Sequence, residues 1–493
     1  MTFDLNFLLR IANLFLCGLS IYLFNIQEDS GLVNIYTIVL VCFFAIENVG
    51  MLLYEKKRRN PFIIILIIVV TFFYIGRVAT ILHLPASASL WDVSYISSAT
   101  ELNYALIFIL LANAAMFSGF YLGGKNFLIN NNITHADNYT PKIRNAIIIL
   151  IGVILIDFFN VIHIESFSRL TGYVQSFLNR HTIILFTFTM MAYYYHNITA
   201  RKLILLIAII LTIVILTTLS GSRAAILDVA LLLLMSLLAV KQKVTINYKV
   251  IIICLIIIPI AMVFFVTATL KRQLGITDTI SVEQFYVAKD YGRFDFDRTE
   301  ELLGPIYNRL GYLDYSTELI ANRQQYTTVI NCQYYIKSII DNVLTPGFDV
   351  FNTIKASNAL SYVKRGEQIP PDKSLIMEFY QSDQMGIYGE YYVLFYGYPA
   401  LFVFFFLAYM LQRVLISFRT TNNLRSYLYI AILLNLFFIH MNSFGIDWLA
   451  FDIMTTIITT FLFARFYVVS NRNKIINKIE QKQDGGAFAC ETL

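Results

Sequence analysis

Apolar runs of membrane-spanning length recur along this chain, separated by short polar connections. A helix of about 19–20 apolar residues crosses a hydrocarbon core, and a window of that length divides the runs into about twelve spans. The pattern predicts spans over residues 5–25, 32–54, 61–83, 102–122, 145–163, 182–198, 203–220, 224–240, 249–269, 389–412, 426–446 and 449–469. The stretch from Leu5 to Ile26 is too long for the apolar core of a signal peptide and lacks a clear small-residue cleavage site, so it reads as a retained first span. Between 270 and 388 the pattern changes. Apolar positions there recur at helical spacing within polar sequence, as in Leu302–Ile320 and Tyr326–Val343, with breaks at Thr345-Pro346-Gly347 and Pro370-Pro371.

The charges in the connections alternate. One set of loops holds Lys56, Lys57, Arg58 and Arg59; Lys125, Lys142 and Arg144; Arg201 and Lys202; Lys241, Lys243 and Lys249; Arg413, Arg419 and Arg425; and the tail cations Arg472, Lys474, Lys478 and Lys482. In the other set, 26–31 and 84–101 have no cation, and 164–181 has only Arg169 and Arg180. Lys and Arg concentrate on the cytoplasmic side of membrane proteins, so both termini are expected in the cytoplasm and the 270–388 insert outside. An even number of spans agrees. The expected fold class is an all-α polytopic membrane protein of about twelve transmembrane helices with one large, mainly helical extracytoplasmic loop. Its expected organisation is an N-terminal bundle over 1–269, the loop over 270–388, and a C-terminal bundle with a cytoplasmic tail over 389–493.

Composition narrows the classes further. Of 493 residues, 58% are hydrophobic and 14% charged, against about 45–50% and about 25% in soluble domains. That excludes a string of soluble domains, a disordered chain and a coiled coil. The net charge of +5 reports topology here and gives no reason to expect nucleic acid as a partner. Five cysteines (17, 42, 254, 332 and 490) are too few for a disulfide framework and read as packing residues and an inert thiol. The insert is rich in tyrosine: 286, 291, 307, 312, 315, 326, 334, 335, 362 and 380. An apolar ring with a polar tip suits helices resting on a membrane face, and equally a sugar-binding surface.

Several residues stand out as candidate chemistry. Leu219-Ser220-Gly221-Ser222-Arg223 falls at the turn between the seventh and eighth spans. Backbone N–H groups at the start of the next helix favour an anion, and an arginine adds two-point phosphate recognition. Arg223 and Ser222 are thus candidates to hold a diphosphate, the alternative for Arg223 being a snorkelling interfacial cation. Arg272, Arg293, Arg298 and Arg309 lie in the insert against the charge bias, either to meet an anionic ligand or to pair with Asp290, Asp295, Asp297, Glu300 and Glu301. The Asp295-Phe296-Asp297 pair is a weak metal signal, and no metal or other cofactor is expected. Glu390 stands where the insert re-enters the membrane, and Asp383 is close in sequence. Partial desolvation there suits a carboxylate to general-base work; the alternative is a helix-start acid complementing the dipole. Glu47, Arg77, Asp157, Asp228 and Asp452 fall within predicted spans and either act in the site or pair within the bundle.

The chain resembles the Wzy-type polysaccharide polymerases, and more distantly the O-antigen ligases and other multi-span GT-C glycosyltransferases. Three features carry the resemblance: Ser220-Gly221-Ser222-Arg223 opening a span, one large loop near three quarters of the chain, and Gly389-Glu390-Tyr391 with Phe395-Tyr396-Gly397 leading into a span with two more after it. The resemblance implies an enzyme of the bacterial cytoplasmic membrane that joins undecaprenyl-diphosphate-linked repeat units on the outer face. It implies that Arg223, assisted by Arg272, Arg293, Arg298 or Arg309, holds the diphosphate, and that Glu390 or Asp383 accepts the acceptor proton. Expected partners are the lipid-linked glycans, membrane lipid and a chain-length co-polymerase. The stretch before the re-entering span has no His, whereas the ligases carry one there; this favours polymerase over ligase. A glycan transporter is the remaining alternative, against which stand the absence of an evident repeat and the size of the insert.

Overall fold

The computed structural model describes residues 2–26, 31–83, 89–124, 311–344, 350–369 and 386–456, some with short gaps, and short pieces within 139–151, 234–247 and 468–470. The predicted spans at 145–163, 182–198, 203–220 and 249–269, and most of those at 224–240 and 449–469, lie outside the described residues. The chain forms two compact units, one of residues 1–129, 241–416 and 433–454, the other of 130–240, 417–432 and 455–493.

The first unit carries most of the described elements. Its helices are α1 (Leu5–Ile26), α2 (Ile35–Arg58), α3 (Pro61–His83) and α4 (Ala99–Gly124), then the shorter α5 (Tyr312–Ala321), α6 (Arg323–Thr327), α7 (Cys332–Ile339), α8 (Ala356–Lys364) and α9 (Ile387–Leu394). Helices α10 (Ala400–Thr421) and α11 (Leu424–Asn442) follow in the chain. Among the described residues, five helices are long and apolar enough to cross a membrane: Leu5–Ile26, Ile35–Glu55, Pro61–His83, Ala99–Gly124 and Ala400–Arg419. Strands among the described residues are limited to three antiparallel pairings of two or three residues, including Thr2–Asp4 with Thr245–Asn247 and Tyr139–Pro141 with Val468–Ser470.

Local chemistry explains the helices. Asn60 caps α3 by accepting from the Phe62 N–H at 3.0 Å, and Pro61 occupies the first turn, where its missing N–H costs nothing. A π-helical turn, Val70–Ile75, interrupts α3 midway. Helices α1, α2 and α3 are joined by buried amides. Asn13 donates to the Ala45 carbonyl at 3.0 Å, and Asn48 donates to Asn13 at 3.0 Å and to Thr71 at 3.3 Å. Apolar side chains gain little by leaving lipid for one another, so such bonds and close packing hold spans together. Close packing joins α4 to α10. A Cβ on Gly119 would collide with the Phe405 carbonyl oxygen and stand 3.0 Å from the Ala408 Cβ, and one on Gly123 would stand 2.9 Å from the Gln412 Cβ.

Two expected elements change. The predicted span at 389–412 is two helices, α9 ending at Leu394 and α10 beginning at Ala400. Tyr396 (φ 56°) and Gly397 (φ +102°) take left-handed conformations, and Pro399 follows, so the helix cannot run through. Glu390 therefore belongs to a short helix ahead of the apolar α10. The predicted helical stretch from Tyr326 to Val343 is likewise broken: α6 ends at Thr327, and Asn331 caps α7 by accepting from the Tyr334 N–H at 3.0 Å.

Candidate functional site

Helix α9 lies buried in the first unit. All eight of its residues are buried, polar ones included. Gly389 makes this possible: a Cβ there would stand 2.9 Å from the Ser316 Cα and 2.9 Å from the Leu319 Cδ1, so α9 lies directly on α5. Its polar side chains then reach different neighbours. The Tyr388 hydroxyl donates to Asn113 of α4. Tyr391 shares a 2.8 Å hydrogen bond with His440 Nε2 of α11. Tyr392 shares one of 2.7 Å with the Tyr104 hydroxyl of α4. Each bond satisfies a group that burial would otherwise penalise.

Glu390 is only 2% exposed. Its Oε1 accepts from the Tyr335 hydroxyl at 2.6 Å and from the Ile446 N–H at 2.7 Å. Its Oε2 is buried without a hydrogen-bond partner. Burial pushes its pKa up to about 8, with the two donors pulling down and nearby Asp447 adding to the rise. Burial beside Glu390 also raises the Tyr335 phenol well above its usual range. The carboxyl is thus held at one oxygen and without a hydrogen-bond partner at the other, and its proton affinity is raised toward neutrality.

Two further carboxylates order the loops around it. Asp447 Oδ2 accepts from the Ser338 hydroxyl at 2.8 Å and the Ala356 N–H at 2.9 Å. Asp341 accepts from the Phe351 N–H at 2.9 Å and the Thr353 N–H at 2.7 Å. The Asp447 bonds fasten α7 and α8 to the segment after α11, the same segment whose Ile446 N–H reaches Glu390.

Of the candidates drawn from sequence, Glu390 is described. Arg223, Ser222, Arg272, Arg293, Arg298, Arg309 and Asp383 lie outside the described residues, as do Asp157 and Asp228. Arg77 pairs within the bundle: its Nε and Nη2 meet the two carboxylate oxygens of Asp314 at 3.0 and 2.6 Å, with both side chains fully buried. Sequence reasoning missed Asp447 and the pairing of His440, and named Tyr335 only as one of the tyrosines of the insert. Polar residues spaced far from Glu390 in the chain give no sequence signal of meeting it; the Tyr-rich character of the insert was the one available hint. Among the described residues, no group of three or more His, Cys, Asp or Glu side chains could hold a metal ion.

The sequence model of a family described as O-antigen polysaccharide polymerase Wzy matches residues 7–474. No curated protein and no solved structure matches the chain.

Proposed function

The chain belongs to the O-antigen polysaccharide polymerase Wzy family, and on that premise we propose that it polymerises undecaprenyl-diphosphate-linked oligosaccharide repeat units at the outer face of the bacterial cytoplasmic membrane. The observation that carries this reading is the family match across nearly the whole chain, residues 7–474. The five apolar helices fit a membrane enzyme.

We assign about twelve spans, cytoplasmic termini and an extracytoplasmic 270–388 loop. Pairings in the structure support this alternation. Thr2–Asp4 pairs with Thr245–Asn247, both from segments that the cations place in the cytoplasm. Asn60 donates to Gln412 at 2.6 Å, again joining two cation-flanked ends. At the opposite ends, Thr37 bonds Asn103 at 2.7 Å, and the Ala99 N–H donates to the Gly31 carbonyl at 3.2 Å. Each bond joins ends that the charge pattern assigns to one side.

In the reaction, a sugar hydroxyl of one lipid-linked unit attacks the anomeric carbon of the other chain. A C–O bond forms, the bond from that carbon to the diphosphate oxygen breaks, and the diphosphate leaves with its lipid. The hydroxyl proton passes to a carboxylate, for which Glu390 is the first candidate and Asp383 the second. The unpartnered Oε2 of Glu390 and its raised pKa support that assignment. Arg223, with Ser222 and the insert arginines 272, 293, 298 and 309, holds the diphosphate and stabilises the charge that develops on it. No metal takes part in this scheme. A chain-length co-polymerase is the expected protein partner.

The test is deletion of the gene, with surface glycan resolved by size. Collapse of the long ladder to a single repeat unit supports polymerisation. Full-length polymer stranded on carrier lipid would make the protein a ligase, repeat units trapped on the cytoplasmic side a transporter, and an unchanged ladder would remove it from glycan assembly.

A further inference from the structure

At the turn joining α9 to α10, aromatic rings and a cation gather at the surface. Tyr104, Tyr392 and Tyr398 stand nearly perpendicular to one another, with ring centroids 6.2–6.4 Å apart. Phe108 underlies them, 4.6 Å from Tyr392 and 5.9 Å from Tyr398. Tyr392 and Phe108 are buried, but Tyr104 and Tyr398 are 39% and 41% exposed, and Tyr396 is 62% exposed. The Arg323 guanidinium lies 5.9 Å from the Tyr392 ring centroid and donates through Nη1 to the Tyr396 carbonyl. Its other N–H groups donate to no described residue.

The backbone is bent to build this arrangement. Tyr396, a non-glycine residue, is held at φ 56°, and that conformation aims its carbonyl at Arg323. Gly397 leaves the guanidinium room: a Cβ there would stand 3.0 Å from Arg323 Nη1. A tyrosine belt at a membrane surface needs none of this. Belt rings sit at headgroup level with their polar tips toward water, whereas here Tyr104 and Tyr392 turn their hydroxyls to each other at 2.7 Å.

We infer that Tyr104, Tyr392, Tyr398 and Arg323 form a platform for one anionic sugar residue of the glycan. The inference rests on the polymerase reading and names a subsite for its substrate. The C–H face of a pyranose stacks on the exposed rings. The exposed phenols of Tyr104 and Tyr398 exchange hydrogen bonds with its hydroxyls, and buried Tyr392 backs them. A phosphate or carboxylate takes the Arg323 N–H groups that donate to no described residue, in a two-point contact. Rigid tyrosines supply this area at low entropic cost. The platform begins two residues from Glu390, so a sugar seated there lies at the edge of the element that carries the candidate base.

The test uses the full chain in lipid nanodiscs and saturation-transfer NMR with three probes: N-acetylglucosamine 1-phosphate, galacturonic acid and N-acetylglucosamine. Ring protons of at least one of the two anionic sugars are expected to receive saturation. Preference for the 1-phosphate points to the diphosphate-linked sugar, and preference for the uronate to an acidic residue of the repeat unit. Tyr398→Ala is expected to weaken binding about tenfold or more, Tyr398→Phe to keep most of it, and Arg323→Ala to erase the preference for the charged sugar over the neutral one. Absence of ring saturation from both anionic sugars, or equal saturation in wild type, Tyr398→Ala and Arg323→Ala at equal membrane protein level, overturns the platform and leaves the rings as interfacial anchors. Failure of the polymerase reading shows separately, as an unchanged glycan ladder on gene deletion.

Discussion

Arg77 of α3 and Asp314 of α5, 237 positions apart, form a two-point ion pair with both side chains fully buried. A planar guanidinium matches a carboxylate in this geometry, which is the one that best offsets the cost of removing both charges from water. The pair ties a membrane-spanning helix to the first described helix of the insert, the same helix on which α9 rests. Removing one partner strands the other. Arg77→Ala or Asp314→Ala alone is therefore expected to cost about 3–5 kcal/mol. The double replacement Arg77→Met/Asp314→Leu, which removes both charges of the pair, is expected to recover part of that loss. Thermal unfolding of the detergent-solubilised protein, followed by monodispersity, reads both.

Glu390 sets a pH dependence with two opposed parts. Burial raises its folded pKa to about 8, above the usual carboxylate value. Between the two values the folded chain binds the extra proton, so stability falls as pH rises through that window and the folded carboxyl ionises. A base must be ionised, so the polymerisation rate is expected to rise with pH toward about 8. Glu390→Gln keeps the shape and flattens both slopes, with glycan output close to zero at normal protein level. Full polymer output from that variant would remove Glu390 from the reaction.

Arg223→Ala is expected to abolish long-chain glycan while the protein remains inserted at wild-type level, because a diphosphate held by one fewer two-point contact is a poorer leaving group. Arg223→Lys keeps the charge without the fork, and partial activity is expected. Immunoblotting of membranes beside the glycan gel checks both; unchanged ladders would end the diphosphate role.

The contact between α9 and α5 has no spare room. Gly389→Ala places a Cβ 2.9 Å from the Ser316 backbone, where the neighbouring helix has to shift. An overpacking cost of about 1–3 kcal/mol is expected. Gly50→Ala is the control, since nothing lies within 4 Å of a Cβ at that position. Comparing the thermal midpoints of the two variants tests the assignment.

Much of the architecture was legible in the chain. The first four predicted spans coincide with α1 to α4, because hydropathy over a membrane-length window is a local property. Glu390 drew attention by position alone, at the junction of a polar insert and an apolar run. The break at 395–399 was written in Gly397 and Pro399, yet the apolar run across it outweighed them in a window that averages over the turn. Arg77 read as either functional or paired, and nothing local could name a partner 237 positions away.

By itself the sequence determined that this is a helical membrane protein, where its first four spans lie and which motif enters α9; each of these follows from composition and periodicity within a few turns of chain. Tertiary structure decided the rest. It buried Glu390 against Tyr335 and the Ile446 N–H, joined Tyr391 to His440, closed the Arg77–Asp314 pair and stood Tyr104 beside Tyr392 and Tyr398. Those relationships depend on which helices lie side by side. That is fixed by close approach at Gly119 and Gly389 and by buried polar groups finding partners, long-range matches that no local pattern encodes.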